Sequence, residues 1–450
     1  MGDVLGLLLD VFFLINVLFA VIIVFSERKD PAVTWAWLMV AFILPYVGFL
    51  IYILLGFDGR KGRIFLNKSK KDDRLAKQFE QQVACGVPHG NAVACYQEGS
   101  PKFDALLRDI QSAKQFIHLQ YYIVRYDDLS KRLMNALAEK ARQGVEVRFL
   151  IDGMGCVLTP KRLFKPFVKA GGQLAVFLSP RFMRLNFRNH RKLAVIDGCI
   201  GYIGGLNIGN EYLGRSKRFG YWRDCHLRIE GESVHRLTLR FMMDWNFASK
   251  QTMPFSERYF PNADVPDATA DVQIVSSGPD TRWPSIQHGY TKMISQAVRA
   301  VYIQTPYFVP DDSVLEAIRA AALSGVDVRI VIPAHPDHPF VYWAGLSYFG
   351  ALLDAGVKCY QYERGFVHSK MIVVDSALAS VGTANLDVRS FKLNFEVNAF
   401  IACEKTSRAL AANFMADLQD CTEITPLWYS KRSHLTKMKE SVSRLLSPIL

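Results

Sequence analysis

The sequence predicts an α/β protein made of two fused, pseudo-twofold-related α/β sandwich units, preceded by two transmembrane helices. Three observations indicate this architecture. Two long apolar runs occupy the N-terminus, the rest of the chain repeats its own sequence, and in each repeat short apolar strands alternate with helical segments. With 450 residues, the chain exceeds one ordinary domain.

The N-terminal runs extend from Val4 to Phe25 and from Trp35 to Phe57 and are almost wholly apolar. Each is long enough to cross a hydrocarbon core, which takes about 20 residues. A cleaved signal peptide would need a basic start and a small-residue cleavage site, and neither is evident here. A buried helical hairpin is the other alternative. We predict a two-span transmembrane anchor over residues 1–57.

Basic residues predict the orientation of this anchor. Only Arg28 and Lys29 lie between the two runs, whereas a basic cluster follows the second. The cluster comprises Arg60, Lys61, Arg63, Lys68, Lys70 and Lys71. Because such an excess belongs on the cytoplasmic side, we expect the chain from residue 58 onward to be cytoplasmic. The segment 58–98 is interpreted as a basic juxtamembrane linker that can also hold anionic headgroups.

The overall composition points to an anionic partner inside the cell. The formal net charge is +12, which suits either nucleic acid or anionic lipid. The eight cysteines are scattered and form no CxxC pair, so a zinc knuckle or redox motif is not indicated. Reduced thiols fit a cytoplasmic body.

The remainder of the chain is a repeat. "AKQFIHLQYYI" at Ala113 corresponds to "AVRAVYIQTPYF" at Ala297, and "GVEVRFLIDG" at Gly144 corresponds to "GVDVRIVIPA" at Gly325. Each half is read as helix, strand, helix, strand, with a Pro-, Asp- and Ala-rich boundary between the halves. The predicted units are residues 99–255 (motif 184–211), residues 271–426 (motif 362–389), and a basic amphipathic tail over 427–450.

The tail carries apolar residues at near-helical spacing among basic residues. They are Leu435, Met438, Val442, Leu445 and Leu446. Two interpretations are equally compatible with this pattern: a helix that lies at the membrane interface, or a helix that packs on the surface of its own domain.

The strongest repeated feature is "HRKLAVIDGCIGYIGGLN" in the first half and "HSKMIVVDSALASVGTAN" in the second. Alternate residues of a strand share a face, which places His190 beside Lys192 and His368 beside Lys370. A lysine binds anionic oxygens and an imidazole titrates near neutral pH. Two such units predict displacement at a phosphate, in which one histidine attacks and the other moves the proton. The lysines and neighbouring donors carry the charge, so no metal or other cofactor is expected.

These motifs resemble those of the phospholipase D superfamily. The matching residues are His190, Lys192, Asp197, Gly204, Gly205 and Asn207, then His368, Lys370, Asp375, Gly382, Thr383 and Asn385. Within the superfamily the chain resembles bacterial cardiolipin synthases. This likeness rests also on the two apolar runs, "GYWRDCHLRIEG", "FMMDWNF", "IPAHPDHPFVYWAG" and "SFKLNFEVNAF".

The resemblance implies a reversible phosphatidyl transfer between two phosphatidylglycerol molecules that yields cardiolipin and glycerol through a phosphatidyl-histidine. By analogy His190 is the nucleophile and His368 the general acid/base. The phosphate would be cradled by Lys192, Lys370, Asn207 and Asn385, with help from Thr383. The implied setting is the bacterial cytoplasmic membrane, with the catalytic body on its cytoplasmic side. Phosphatidylglycerol and other anionic phospholipids are the expected partners, and nucleic acid is not.

The acidic residues of the site have different expected roles. Asp197 and Asp375 belong to the catalytic signature, but we favour a role in fixing the backbone of the turn. A nucleophilic imidazole needs an acceptor on its other nitrogen. Glu396 resembles the acidic partner of the family, and Asp224 occupies the comparable place in the first half. Glu211 is a weaker candidate.

Several alternatives stay open at this point. A membrane-anchored nuclease would use the same two histidines, and a lipid hydrolase would differ only in using water. A lipid-binding scaffold without turnover is disfavoured because both motifs are intact. The loop with His335, Asp337 and His338 could suggest metal ligands, but its three prolines favour a loop on the substrate side.

Overall fold

The N-terminal runs form helices in the computed structural model, which describes residues 2–25, 31–52, 61–83, 86–178, 186–249, 251–263, 265–445 and 447. Helix α1 spans Gly2–Phe25, α2 spans Pro31–Ile43 and α3 spans Gly48–Ile51. The run predicted as the second span is therefore interrupted between α2 and α3, next to Pro45. Among the helices of the described residues, none meets the length and hydropathy that membrane crossing requires. Arg28, Lys29 and Arg60 of the orientation argument lie outside the described residues.

The segment expected to be a linker is ordered structure instead. Helix α4 (Lys61–Gln82) packs against helix α8 (Ser233–Ala248), and Phe65 and Phe79 of α4 are buried in the core. Lys68, expected at the membrane surface, is buried and lies 2.6 Å from Asp72 and 2.5 Å from Asp280. Part of the basic cluster thus neutralises buried carboxylates.

The first half forms a seven-stranded mixed sheet. Its strands are β1 (Ala92–Tyr96), β2 (Phe116–Tyr121), β3 (Glu146–Asp152), β4 (Gln173–Phe177), β6 (Leu193–Ile196), β7 (Ile200–Gly204) and β9 (His226–Glu230), in the order β1-β9-β7-β6-β2-β3-β4. Strands β2, β3 and β4 are parallel, and the others pair antiparallel. Helices α5 (Gly99–Ser112), α6 (Asp128–Arg142) and α7 (Lys165–Lys169) supply apolar side chains to the core on the outer face.

The second half repeats this strand order. Its strands are β10 (Asp271–Ser277), β11 (Ala300–Gln304), β13 (Asp327–Pro333), β14 (Lys358–Tyr362), β16 (Met371–Val374), β17 (Leu378–Gly382), β19 (Asn394–Ala402) and β20 (Cys421–Glu423). They run in the order β10-β19-β17-β16-β11-β13-β14-β20, which matches the first sheet strand for strand and adds β20 at the edge. Its helices are α9 (Ser285–Ser295), α10 (Asp312–Leu323), α11 (Pro339–Asp354), α12 (Val388–Lys392), α13 (Glu404–Asp417), α14 (Pro426–Ser430) and α15 (His434–Leu445).

One hydrophobic core joins the two sheets. It contains residues of α4, α8 and α13 together with strands of both halves, whereas each outer face has a core of its own. Three short strand pairs complete the fold: β5 (Arg188–Asn189) with β19, β8 (Tyr221–Arg223) with β15 (Gly365–Val367), and β12 (Phe308–Val309) with β18 (Leu386–Asp387). The first two pairs connect the halves, and both histidine motifs lie beside them.

Candidate active site

The short pair β5–β19 positions the first histidine. Asn189 lies opposite Phe395 in parallel register, and the His190 N–H donates to the Phe395 carbonyl over 3.0 Å. The next step along both strands places His190 beside Glu396. Its Nδ1 is 2.9 Å from Glu396 Oε1. The register of β5 against β19 therefore brings the Glu396 carboxylate, from the second half, next to the histidine of the first half.

The pair β8–β15 positions the second histidine in the same way. Val367 lies opposite Arg223, and the His368 N–H donates to the Arg223 carbonyl over 2.7 Å. His368 Nδ1 is then 2.8 Å from Oδ2 of Asp224, which comes from the first half. The sequence identified both acids, but it gave no sign that each half supplies the carboxylate for the histidine of the other half.

The two carboxylates differ in protonation. Burial alone would raise the pKa of Asp224, but His368 and Lys370 together with the Cys225 backbone N–H outweigh it and lower that pKa. Burial raises the pKa of Glu396 to about 7, and the charge of Lys192 offsets it only in part. Asp224 is therefore ionised at neutral pH, whereas Glu396 titrates there.

Both motif lysines are buried next to the histidines. Lys192 Nζ donates to the His190 carbonyl and Lys370 Nζ to the His368 carbonyl, each over 2.6 Å. Burial lowers the pKa of Lys370 to about 8 and that of Lys192 well below its usual range. A bound anion nearby would favour the charged form of both lysines and raise their pKa values, because opposite charge offsets the loss of hydration.

Burial and the nearby lysines also control the histidines. They lower the pKa of His368 to about 4 and that of His190 well below its usual range. Since each Nδ1 faces a carboxylate, the Nε2 atom is left to act on a substrate. The site thus contains two neutral imidazoles, each with a buried lysine beside it.

Both histidines open into one cleft of about 490 Å³. The cleft also contains two guanidinium groups that sequence reasoning missed, Arg188 and Arg389. Arg389 donates to Oδ1 and O of Asn186, while the Arg188 Nε is buried without a partner among the described residues. The repeated signature gives no signal for either arginine, because neither has an arginine at the matching position of the other half.

The predicted phosphate ligands do not all reach the cleft, since its lining residues do not include Lys192, Lys370 or Thr383. Asn207 and Asn385 line it, and Asn385 Oδ1 has no partner within the described structure. Thr383, expected to assist at the phosphate, is fully buried, and its hydroxyl donates to the Val397 carbonyl over 3.2 Å. It supports strand β19 instead. The first half has Gly205 at this place because a Cβ there would lie 2.0 Å from Oδ1 of Asp224.

Asp197 and Asp375, which belong to the signature, do not line the cleft. Asp197 accepts hydrogen bonds from the backbone N–H groups of residues 114–116, and Asp375 accepts from those of residues 298–300. Both have positive φ, 51° and 54°. Each aspartate therefore ties the turn after one strand to the start of a neighbouring strand.

The proline-rich loop borders the cleft. Asp337 and His338 line it, and Asp337 accepts a 2.6 Å hydrogen bond from the Tyr307 hydroxyl, whereas His335 is largely exposed. No cluster of three or more potential metal ligands occurs in the part of the chain that the structure describes. Glu211 also lines the cleft, but its partner is Arg125, at 2.9 Å, and not a histidine.

Comparison with known proteins agrees with this geometry. Residues 106–238 and 290–418 match the family described as "Cardiolipin synthase, PLD-like domain", and residues 9–56 match "Phospholipase_D-nuclease N-terminal". The chain is 47% identical to the major cardiolipin synthase ClsA of Bacillus subtilis over 99% of both chains. It is 46% identical to a cardiolipin synthase of Staphylococcus aureus, over 97% of this chain and 95% of that protein.

A solved structure shares the fold at low sequence identity. The phosphatidylserine synthase of Haemophilus influenzae superposes with a TM-score of 0.64 at 14% identity, covering 84% of this chain and all of that one. The repeated motifs and the nearly full-length similarity together show the family of this chain. It belongs to the cardiolipin synthase family of the phospholipase D superfamily.

Proposed function

We propose that this protein transfers a phosphatidyl group from one phosphatidylglycerol molecule to a hydroxyl of another, which yields cardiolipin and glycerol. One observation carries the proposal. Two histidines, each backed by a buried carboxylate of the other half, open into a single cleft beside two buried lysines. Such a site has both groups that a two-step displacement at phosphorus needs.

In the first step His190 Nε2 attacks phosphorus. A P–N bond forms, the P–O bond to glycerol breaks, and His368 gives its proton to the departing oxygen. His368 is neutral in the empty cleft because its pKa is about 4. The negative phosphate raises that pKa when it binds, so the substrate itself favours the protonated acid.

In the second step the hydroxyl of the second lipid loses its proton to His368. Its oxygen forms a bond to phosphorus, the P–N bond breaks, and His190 is restored. The same reaction run backwards consumes cardiolipin and glycerol. Water in place of the lipid hydroxyl would give phosphatidic acid, so the yield of transfer depends on how well the second lipid fills the cleft.

Positive groups around the cleft stabilise the negative charge on the phosphoryl oxygens in the transition state. Lys192 and Lys370 flank the histidines, and the free acceptor Asn385 Oδ1 can accept from a headgroup hydroxyl. Arg188 and Arg389 enlarge the positive field of the cleft, which suits substrates that each carry a phosphate. No metal or other cofactor takes part in this scheme.

We further propose that the N-terminal helices embed in the cytoplasmic membrane of a bacterium, with the catalytic body on the cytoplasmic side. Large apolar side chains of α1 and α2 are exposed on the protein, among them Leu14, Phe25 and Phe42. Exposed apolar surface of this extent supports contact with lipid. The basic residues that follow the second run support the orientation.

The domain boundaries are part of the proposal. The identical strand order of the two sheets supports a pseudo-twofold relation between units at residues 99–255 and 271–426. Strand β1 and helix α4 lie before residue 99 but pack with these units.

The test supplies purified protein, in detergent with EDTA, with phosphatidylglycerol and identifies the products by mass. We expect cardiolipin and glycerol, lost in His190→Ala and in His368→Ala and retained in His89→Ala, whose side chain is 79% exposed. Phosphatidic acid as the sole lipid product would make the protein a hydrolase. Turnover only after addition of phosphatidylethanolamine would identify a different second lipid.

A further inference from the structure

The C-terminal helix α15 faces its apolar side outward. Leu435, Met438, Val442 and Leu445 are each more than half exposed, and their spacing of three and four residues puts them on one face. The opposite face, which packs inward, is polar. An amphipathic helix that packs on its own domain has the reverse arrangement.

Polar and aromatic contacts hold α15 in this orientation. Arg432 pairs with Glu440, which is buried, and Ser443 is buried beside it. The Lys439 ammonium lies 4.9 Å from the centre of the Trp343 ring, and the Arg444 guanidinium lies 5.1 Å from that of Tyr348. The apolar face is therefore not needed for docking onto helix α11, and within the described residues it is largely exposed.

The apolar face leads toward the active-site cleft. Lys439 and Arg444 are five residues apart on α15, and the rings that they contact are five residues apart on α11, in the same order. The two helices therefore run parallel. By the same offset, Leu435 lies beside the first residue of α11. The start of α11 belongs to the rim of the cleft, because His338 and Val341 line it. Phe340, between them, is 55% exposed.

Charge indicates what covers this face. Lys437, Lys439 and Arg444 lie on α15 outside its apolar face, and Lys431 precedes the helix. Apolar side chains flanked by cations match a surface of anionic phospholipid, in which acyl chains lie beneath negative headgroups. A second copy of the chain fits poorly, because it would bring these cations together. Four partly exposed side chains also fall short of the roughly 1,000 Å² that a stable protein interface buries.

We propose that α15 is a membrane-docking helix whose outer face, made by Leu435, Met438, Val442 and Leu445, inserts among anionic phospholipids and holds the cleft rim against the bilayer. The inference rests on the proposed function, since it assigns the lipid surface from which the substrates enter. It goes beyond the N-terminal helices, which by themselves would leave the orientation of the catalytic body undetermined.

A crosslinking experiment tests the contact. The full chain, with a photoreactive benzoylphenylalanine in place of Met438, is reconstituted in nanodiscs that contain phosphatidylglycerol and is irradiated. We expect lipid adducts by mass spectrometry, and none when the probe replaces Thr436, which lies two turns before the buried Ser443 on the same side of the helix. A protein–protein adduct would assign the face to a second copy, and the absence of any adduct would also overturn the proposal.

A variant with serine at all four apolar positions tests the consequence. We expect its cardiolipin synthesis on phosphatidylglycerol vesicles to fall about tenfold, with no change in detergent micelles, where substrate reaches the cleft without a bilayer. An equal loss in both systems would contradict the docking role. Lipid adducts at position 438 without cardiolipin formation by the native chain would refute the proposed function and leave the docking intact.

Discussion

Replacement of Asp224 by Asn tests the exchange of carboxylates between the halves. Oδ1 of Asp224 accepts from the Cys225 N–H over 2.8 Å, and Oδ2 accepts from Trp222 Nε1 at 3.2 Å and from His368 Nδ1 at 2.8 Å. If the Asn oxygen stays on the Cys225 N–H, the Asn NH₂ group faces Trp222 Nε1 and His368 Nδ1. Both of these nitrogens are donors, so neither can accept from it. His368 then loses its acceptor or changes tautomer.

The size of the effect follows from that geometry. A hydrogen bond to a charged group is worth about 1.5–3 kcal/mol, and 1.36 kcal/mol corresponds to a tenfold change in rate, so lost orientation alone costs about 10- to 100-fold. A wrong tautomer has cost about 10⁴-fold in a serine protease triad. We therefore expect kcat of Asp224→Asn to fall by about 100- to 10,000-fold.

The assay measures the initial rate of cardiolipin formation in detergent, with urea unfolding of the same samples. The matched control is Glu211→Gln, which removes a carboxylate of the same cleft whose partner is Arg125. We expect the control to lose much less activity than Asp224→Asn. An Asp224→Asn protein that is folded and has the native kcat would refute the reasoning.

Four further predictions concern the surroundings of the site. Asp197→Ala, which loses three backbone hydrogen bonds, should lower the free energy of unfolding by about 1–3 kcal/mol in urea titrations and leave kcat unchanged. Lys68→Met removes the ion-pair partner of the buried Asp280 and should lower the free energy of unfolding by about 3–5 kcal/mol, measured in the same way. Arg389→Gln should raise KM for phosphatidylglycerol about tenfold in micelle kinetics, because it removes a cation from the cleft. The pKa of Glu396 is raised to about 7, so the carboxylate that accepts from His190 forms as pH increases. Because the bound phosphate raises this pKa further, the rising limb in the pH profile of kcat should lie at or above about pH 7, and Glu396→Gln should abolish that limb.

Each of these predictions has a contrary result. A catalytic role for Asp197 would show as a large loss of kcat at unchanged stability. Native stability of Lys68→Met would mean that its carboxylate partners do not need it. A change in kcat alone in Arg389→Gln would place that arginine at the transition state, and a rising limb that persists in Glu396→Gln would assign it to another group.

The repeat in the sequence was enough to predict the two sheets. Matching segments at Ala113 and Ala297 become β2 and β11, which hold the same place in sheets of the same strand order. The motif spacing likewise predicted a strand directly after each motif lysine, and β6 and β16 begin there, because strand periodicity is a local property. That each histidine shares a face with its lysine stays a prediction, since both pairs precede their strands. These features depend on short stretches of chain.

Features that depend on distant segments could not be predicted. His190 is 206 residues from Glu396, and His368 is 144 residues from Asp224, and only the pairing of short strands between the halves brings them together. The burial of Lys68 was missed for the same reason, since its partner Asp280 lies 212 residues away. The sequence shows that Lys68 carries a charge, but it does not show which oppositely charged residue Lys68 contacts in the fold.

Residue type alone misled at one position and left a choice open in the C-terminal tail. Thr383 belongs to the phosphate motif, yet the packing of β17 against β19 turns its hydroxyl toward a backbone carbonyl. The apolar spacing of the tail correctly indicated a helix but left its direction open, and the contacts with α11 decide that the apolar face points outward.

The most direct test of the two-histidine transfer is to trap the covalent intermediate. The protein is mixed with phosphatidylglycerol, quenched in alkali within the first turnover because a phosphorus–nitrogen bond is acid-labile, and digested for mass spectrometry. The account predicts a phosphatidyl adduct on His190, which is absent in His190→Ala. An adduct on His368 would reverse the two roles, and cardiolipin formation without any adduct on either histidine would contradict the mechanism.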